Sequence, residues 1–233
     1  MLAVDIEHSS GRGNAPLLEI REALFTALRE SVVRSEIDWE TCLRDDLGDG
    51  IRMIPPAGTR KSHLIHPLIH ELAVRLEAHN RTPDPSTRIR VRVALHAGDV
   101  FLGPGGEVAG QPLEILARML DAPPTRKALA RAPRTVPVSV LISQHFYDET
   151  VRHGYPGIDP DTFQKVTFTE KNYTADAWLH LPNYSLAPQV KPPDVTASDQ
   201  PPARSKTVNR ASGNGTIYAA HNGNQNIYTD GRS

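Results

Sequence analysis

Between residues 88 and 97 the chain reads RIRVRVALHA, and charged and apolar side chains alternate from Arg88 to Val93. Ile89, Val91, Val93 and Leu95 fall on one side and Arg88, Arg90 and Arg92 on the other, the period of a half-buried strand. The arginine side reads as a solvated or salt-bridged sheet face. Other stretches have the helical period instead. Leu17, Leu18, Ile20, Ala23, Leu24, Leu28 and Val32 predict a long helix from about Pro16, with proline suited to its first turn. Leu64, Leu68, Ile69, Leu72, Ala73 and Leu76 predict a second helix that stops near HNRTPDP. Leu113, Leu116, Ala117 and Leu120 mark a third.

The remaining apolar runs are short. LAVDI is a buried strand that ends in acid, and VPVSVLIS is another, followed by a helix at HFYDETV. Trp39 to Leu43 and Ile51 to Ile54 form a hairpin around the glycines of RDDLGDG, and Pro55-Pro56 ends it. Gly103 to Gly106 make a second turn of hairpin type. FQKVTFT and DAWLHLP supply the last strand pair. The order βαββαβ, followed by further helix and strand, predicts an α/β (α+β) domain. Its core is a ferredoxin-like sheet with helices on one face, over residues 1–184.

Beyond Tyr184 the periodicity stops. Residues 185–212 are rich in Pro, Ser and charge and read as a disordered linker. Residues 213–233 then repeat GNGTIY as GNQNIY ten residues apart. Ile-Tyr pairs favour strands, and Asn and Gln can stack in ladders. This tail reads either as a self-association or partner-recruiting motif, or as disordered chain. It loosely resembles short amyloid-signalling motifs.

Composition removes several function classes. A formal net charge of −1 gives no basic field for nucleic acid or an anionic membrane. No apolar run is long enough to span a bilayer. MLAVDIEH has neither the basic flank nor the apolar length of a signal peptide, so a cytoplasmic location is expected. Cys42 is the single cysteine, which leaves no internal disulfide and fits a reducing compartment.

The chemistry concentrates on two aspartates. Asp5 ends the first strand and Asp49 sits at the hairpin tip, two places that a ferredoxin-like fold can bring together. Convergent carboxylates are hard oxygen ligands, suited to magnesium or manganese and to the phosphate such ions carry. Other residues invite sharper readings but have plain ones. His66 and His70 have zinc-like spacing without a third ligand, and His96 reads as a satisfied strand-end histidine.

VDIEHSSG, DLGDGIRMI, RVRVALHAGDVFLGPGGEVAG and GQPLEILARMLDA, in that order, resemble the catalytic domain of class III adenylate/guanylate cyclases over residues 1–182. The resemblance implies a homodimer whose interface binds a nucleoside triphosphate. It implies Asp5 and Asp49 as ligands of Mg2+ or Mn2+, assisted by the Ile6 carbonyl. Asp45 and Glu107 would fall at base-reading positions, with the acid at 45 leaning towards guanine. Arg118 and Lys171 would stabilise charge on the triphosphate, as in a phosphorus–oxygen lyase.

Two departures stand against full conservation of that site. Glu114 occupies the place of a ribose-orienting asparagine, where a carboxylate would repel a triphosphate. The first-strand motif continues as EHSSGRG rather than into a glycine–aromatic turn, leaving Ser9, Ser10 and Gly11 as a candidate anion nest. The sequence therefore supports two readings: a nucleotide cyclase, or a noncatalytic cyclase-like sensor or scaffold whose tail recruits partners.

Overall fold

The computed structural model describes residues 1–81 and 84–184. Nine strands and five helices follow in chain order. They are β1 (Leu2–Ile6), α1 (Asn14–Arg34), β2 (Leu43–Asp46), β3 (Gly50–Ile54), α2 (Leu68–His79), β4 (Val91–Leu95), β5 (Phe101–Leu102) and β6 (Val108–Ala109). After them come α3 (Gln111–Asp121), α4 (Pro123–Arg131), β7 (Val138–Ser143), α5 (Gln144–Glu149), β8 (Gln164–Glu170) and β9 (Tyr173–His180). Seven strands form one sheet in the order β2-β3-β1-β4-β7-β9-β8, and β5 and β6 form a separate hairpin. Only β4 and β7 run parallel; the other neighbours are antiparallel. The first four strands have the ferredoxin-like order, as the element sequence predicts.

Helices cover both faces of the sheet rather than one, which corrects the expectation from sequence. Leu2, Val4 and Ile6 of β1 face Ile20, Leu24 and Leu28 of α1 and Leu68, Leu72 and Leu76 of α2 in the larger core. The intervening Ala3 faces the other way, in a second core with Leu113, Leu116 and Met119 of α3 and Ala128 of α4. Ala3 lies opposite Ala94 in the β1–β4 register, so two minimal side chains meet where α3 crosses. Small residues let a helix sit low on a sheet, and here they also leave a hollow. Asp5 belongs to this second face by the same two-residue period.

Two glycines shape the β2–β3 hairpin. Gly48 has φ of 91°, a left-handed value that L side chains rarely adopt. At Gly50 a Cβ would lie 2.0 Å from the Val4 carbonyl oxygen, so only glycine lets β3 run this close to β1. Asp46 closes the turn. Its carboxylate accepts from the Gly48 amide at 2.8 Å and from Arg21 at 2.7 Å.

Candidate functional site

The β1–β3 register sets Asp5 opposite Gly50, and the Ile6 amide donates to the Asp49 carbonyl at 3.0 Å. Strand end and hairpin tip therefore meet. Asp5 and Asp49 line one cavity of about 350 Å³, with Arg52 of β3 and Arg92 of β4 beside them. The apolar side of α3 forms the opposite wall through Leu113, Leu116 and Leu120. A polar floor facing an apolar lid is a common form for a small-molecule cleft.

The two aspartates differ in their neighbours. Asp5 is 8% exposed and ion-paired with Arg92, its cross-strand partner in the β1–β4 register. The Arg92 guanidinium keeps its Nε and Nη1 buried without a hydrogen-bond partner. Burial pulls its pKa down, nearby Arg126 adds to that, and Asp121 opposes it. Asp49 is half-buried and has no ion-pair partner among the described residues; its carboxylate accepts from the Ser9 hydroxyl at 2.6 Å.

Ser9 is held by the loop around it. Arg12 donates to the carbonyls of Glu7 at 3.0 Å, His8 at 2.7 Å, Ser86 at 3.1 Å and Arg88 at 2.6 Å. One guanidinium thus ties the β1–α1 loop to the approach to β4. Ser9 is linked to the cavity through its bond to Asp49, and none of Ser9, Ser10 and Gly11 is in the lining itself.

Asp5 and Asp49 are the predicted side chains that share the cavity; Ile6 is joined to them through its backbone. Asp45 pairs with Arg52 across the hairpin at 2.7 Å. Glu107 is exposed on the β5–β6 turn and accepts from the Gly105 amide at 3.0 Å. Glu114 points to solvent and meets Arg118 one helical turn later at 3.7 Å. Arg118 lies over the Tyr173 ring, 5.4 Å from its centroid. Lys171 occupies the exposed β8–β9 turn with a left-handed φ of 54°. These five do not line the cavity of Asp5 and Asp49.

The sequence reading missed Arg52 and left Arg92 as a generic face residue. Arg52 was within reach: counting outwards from a Gly48–Asp49 turn sets it opposite Asp45, which is the observed register. The Arg92–Asp5 pair needs the β1–β4 register, which sequence does not supply. His96 has the plain role expected of it, buried with Nδ1 2.8 Å from the Ser143 hydroxyl. Burial first, then the chain's amino terminus and His145, push its pKa down to about 4.

The donor chemistry suits a hard divalent cation. Two carboxylates face one cavity, one of them free of any cation, although Asp5 would have to exchange Arg92 for the ion. Among the described residues no group of three or more His, Cys, Asp or Glu could hold a metal, His66 and His70 included. Water and phosphate would have to complete the shell. No described helix is long and apolar enough to cross a membrane.

No protein-family model matches the chain, and no curated protein does. Solved structures do match. An adenylate/guanylate cyclase/hydrolase from Silicibacter pomeroyi superposes with a TM-score of 0.55 at 12% identity, over 78% of this chain and 95% of that one. A double mutant of the guanylyl cyclase domain of the RhoGC fusion protein from Blastocladiella emersonii gives 0.49 at 13% identity, over 78% and 94%. Monomeric adenylate cyclases from Trypanosoma brucei give 0.48 at 16% identity, over 80% and 89%. The first of these shows the fold, that of a nucleotide cyclase domain, over 78% of this chain.

Proposed function

We propose that the domain of residues 1–184 binds a nucleoside triphosphate with Mg2+ or Mn2+ at a homodimer interface and closes a cyclic nucleotide. The observation that carries this reading is the convergence of Asp5 and Asp49 on one cavity. When bound, the divalent ions would lower the charge on the triphosphate and the barrier to attack by the ribose 3′-hydroxyl. Asp5, Asp49 and the Ile6 carbonyl would hold them. Ser9 orients the Asp49 carboxylate, and Arg12 fixes the loop that carries Ser9.

Arg118 and Lys171 lie outside that cavity, which supports a site completed by a second copy of the chain. In that arrangement the two cations of one copy reach the triphosphate held by the other and stabilise its charge. Asp45, paired with Arg52, and Glu107 on its turn would meet the base. The exposed Phe101, 82% accessible, and Leu102 of the β5–β6 hairpin suit burial against that second copy. The test is pyrophosphate release from each nucleoside triphosphate with manganese. Release by the protein and none by Asp49→Ala supports the reading; no release with any of the four overturns it.

The ion pair that engages Asp5 and the Glu114–Arg118 pair favour a second reading, a noncatalytic cyclase-like sensor or scaffold. In it the 185–212 linker connects the domain to the 213–233 repeat, which recruits or polymerises with partners. Both segments lie outside the described residues. A peptide of residues 209–233 that assembles into strands at high concentration supports this; one that stays monomeric removes it.

A further inference from the structure

A second cavity, of about 940 Å³, shares no lining residue with the first. Three separate segments wall it: the end of α1 at Arg34–Glu36, the stretch 60–67, and the stretch 149–156. They are joined before any ligand arrives. His63 Nδ1 lies 3.0 Å from the Ser35 carbonyl, so that nitrogen carries the proton and Nε2 is left without a recorded partner. Lys61 is bonded to Glu149, which also faces His145 at 3.5 Å. The His66 ring is seated against Gly157, where a Cβ would fall 2.2 Å from it.

The charges in this cavity are unequally satisfied. Glu149 is occupied by Lys61, whereas the guanidiniums of Arg34 and Arg60 have no hydrogen bond or ion pair among the described residues. Glu36 is the one other carboxylate in the lining, held on a turn with a left-handed φ of 58°. The rings of His66 and His153 have ring neighbours, His70 and Tyr155, and no hydrogen bond among the described residues. Two guanidiniums with unused donors, facing imidazoles across a cleft of metabolite size, match the oxygens of adjacent phosphate groups.

We propose that this cavity is a second, metal-independent site for a polyphosphate-bearing small molecule. Arg34 and Arg60 grip the phosphates, and His66 and His153 supply further donors. The site is separate from the nucleotide site proposed above and does not depend on it.

The experiment is calorimetric titration of the full chain with inorganic tripolyphosphate, with chelator present so that no divalent ion bridges it to Asp5 and Asp49. Saturable one-to-one binding that persists at physiological salt is expected. Exchanging Arg34 and Arg60 together for alanine should weaken it roughly 100-fold, about tenfold for each lost charge-assisted contact. Asp49→Ala should bind as the parent does. Both arginines are exposed, so the double variant folds. Undetectable binding, binding lost at physiological salt, or equal binding by the double variant would overturn the proposal. So would loss of binding in Asp49→Ala, which would move the ligand to the first cavity.

Discussion

The aspartate side and the cation side of the candidate site are built in opposite ways. Asp5 and Asp49 are carried by the sheet, one ending β1 and the other at the tip of the hairpin that pairs with it. Arg12, Ser9 and the close approach at Gly50 hold them in place. Arg118 and Lys171 project from the edge of the same domain. One lies over Tyr173 and the other sits on a two-residue turn, with no contact to the carboxylates they would serve. A site that one chain could complete would place donors and cations around one cavity. A fold that makes each half rigid, and sets the halves apart, suits completion between two copies.

The largest effect should come from breaking the aspartate side. Arg92→Met leaves Asp5 buried and uncompensated, and urea unfolding should show a loss of about 3–5 kcal/mol. Millimolar manganese should restore part of it, because the freed carboxylate can then take a cation. Full parent-like stability in metal-free buffer would mean that the ion pair does not hold β1 to β4.

A pH scan separates the site from its scaffold. His96 has a folded-state pKa of about 4, below its ordinary 6.5, so protonation favours the unfolded chain. Its contribution is intact above about pH 6.5 and is lost as pH falls towards 4, a drop of about 3 kcal/mol. The buried amino terminus, pushed down to about 6, acts in the same sense between pH 8 and 6. His96→Gln should flatten the lower window and leave the upper one. An unchanged slope between pH 6.5 and 4 would assign that acid sensitivity elsewhere.

Mixing variants tests the cation side. Arg118→Ala should lower turnover about 100-fold without weakening metal-dependent stabilisation. Combined in equal amounts with Asp49→Ala, it should recover about a quarter of parental turnover, since half the dimers are mixed and hold one intact site. No recovery would place Arg118 and Asp49 in the same subunit's site. The smallest effect belongs to Asp45 and Arg52. Their pair is partly solvated, and a double-mutant cycle should give under about 1 kcal/mol of coupling stability.

Much of the scaffold was legible because its period is set by burial. The 88–95 alternation became β4, and the leucines from Leu17 onward became α1. What was not legible depended on opposition between distant segments. Leu2, Val4 and Ile6 signal one buried face, but Ala3 and Ala94 do not signal a second by size alone. The helices on that second face were therefore unexpected. α4 was not expected either; Pro123 and Pro124 form its first turn. Asp5 and Asp49 could be singled out from their places on β1 and the hairpin. That Arg92 already holds Asp5 is a fact of register, invisible along either strand alone.

The central claim is that Asp5 and Asp49 hold a metal-bound nucleotide. Its most direct test is the thermal stability of the full chain with manganese and each nucleoside triphosphate, beside Asp49→Ala. The account predicts a midpoint rise of several degrees with at least one triphosphate, requiring both metal and nucleotide and absent in Asp49→Ala. No rise with any of the four, or an equal rise in Asp49→Ala, would contradict it.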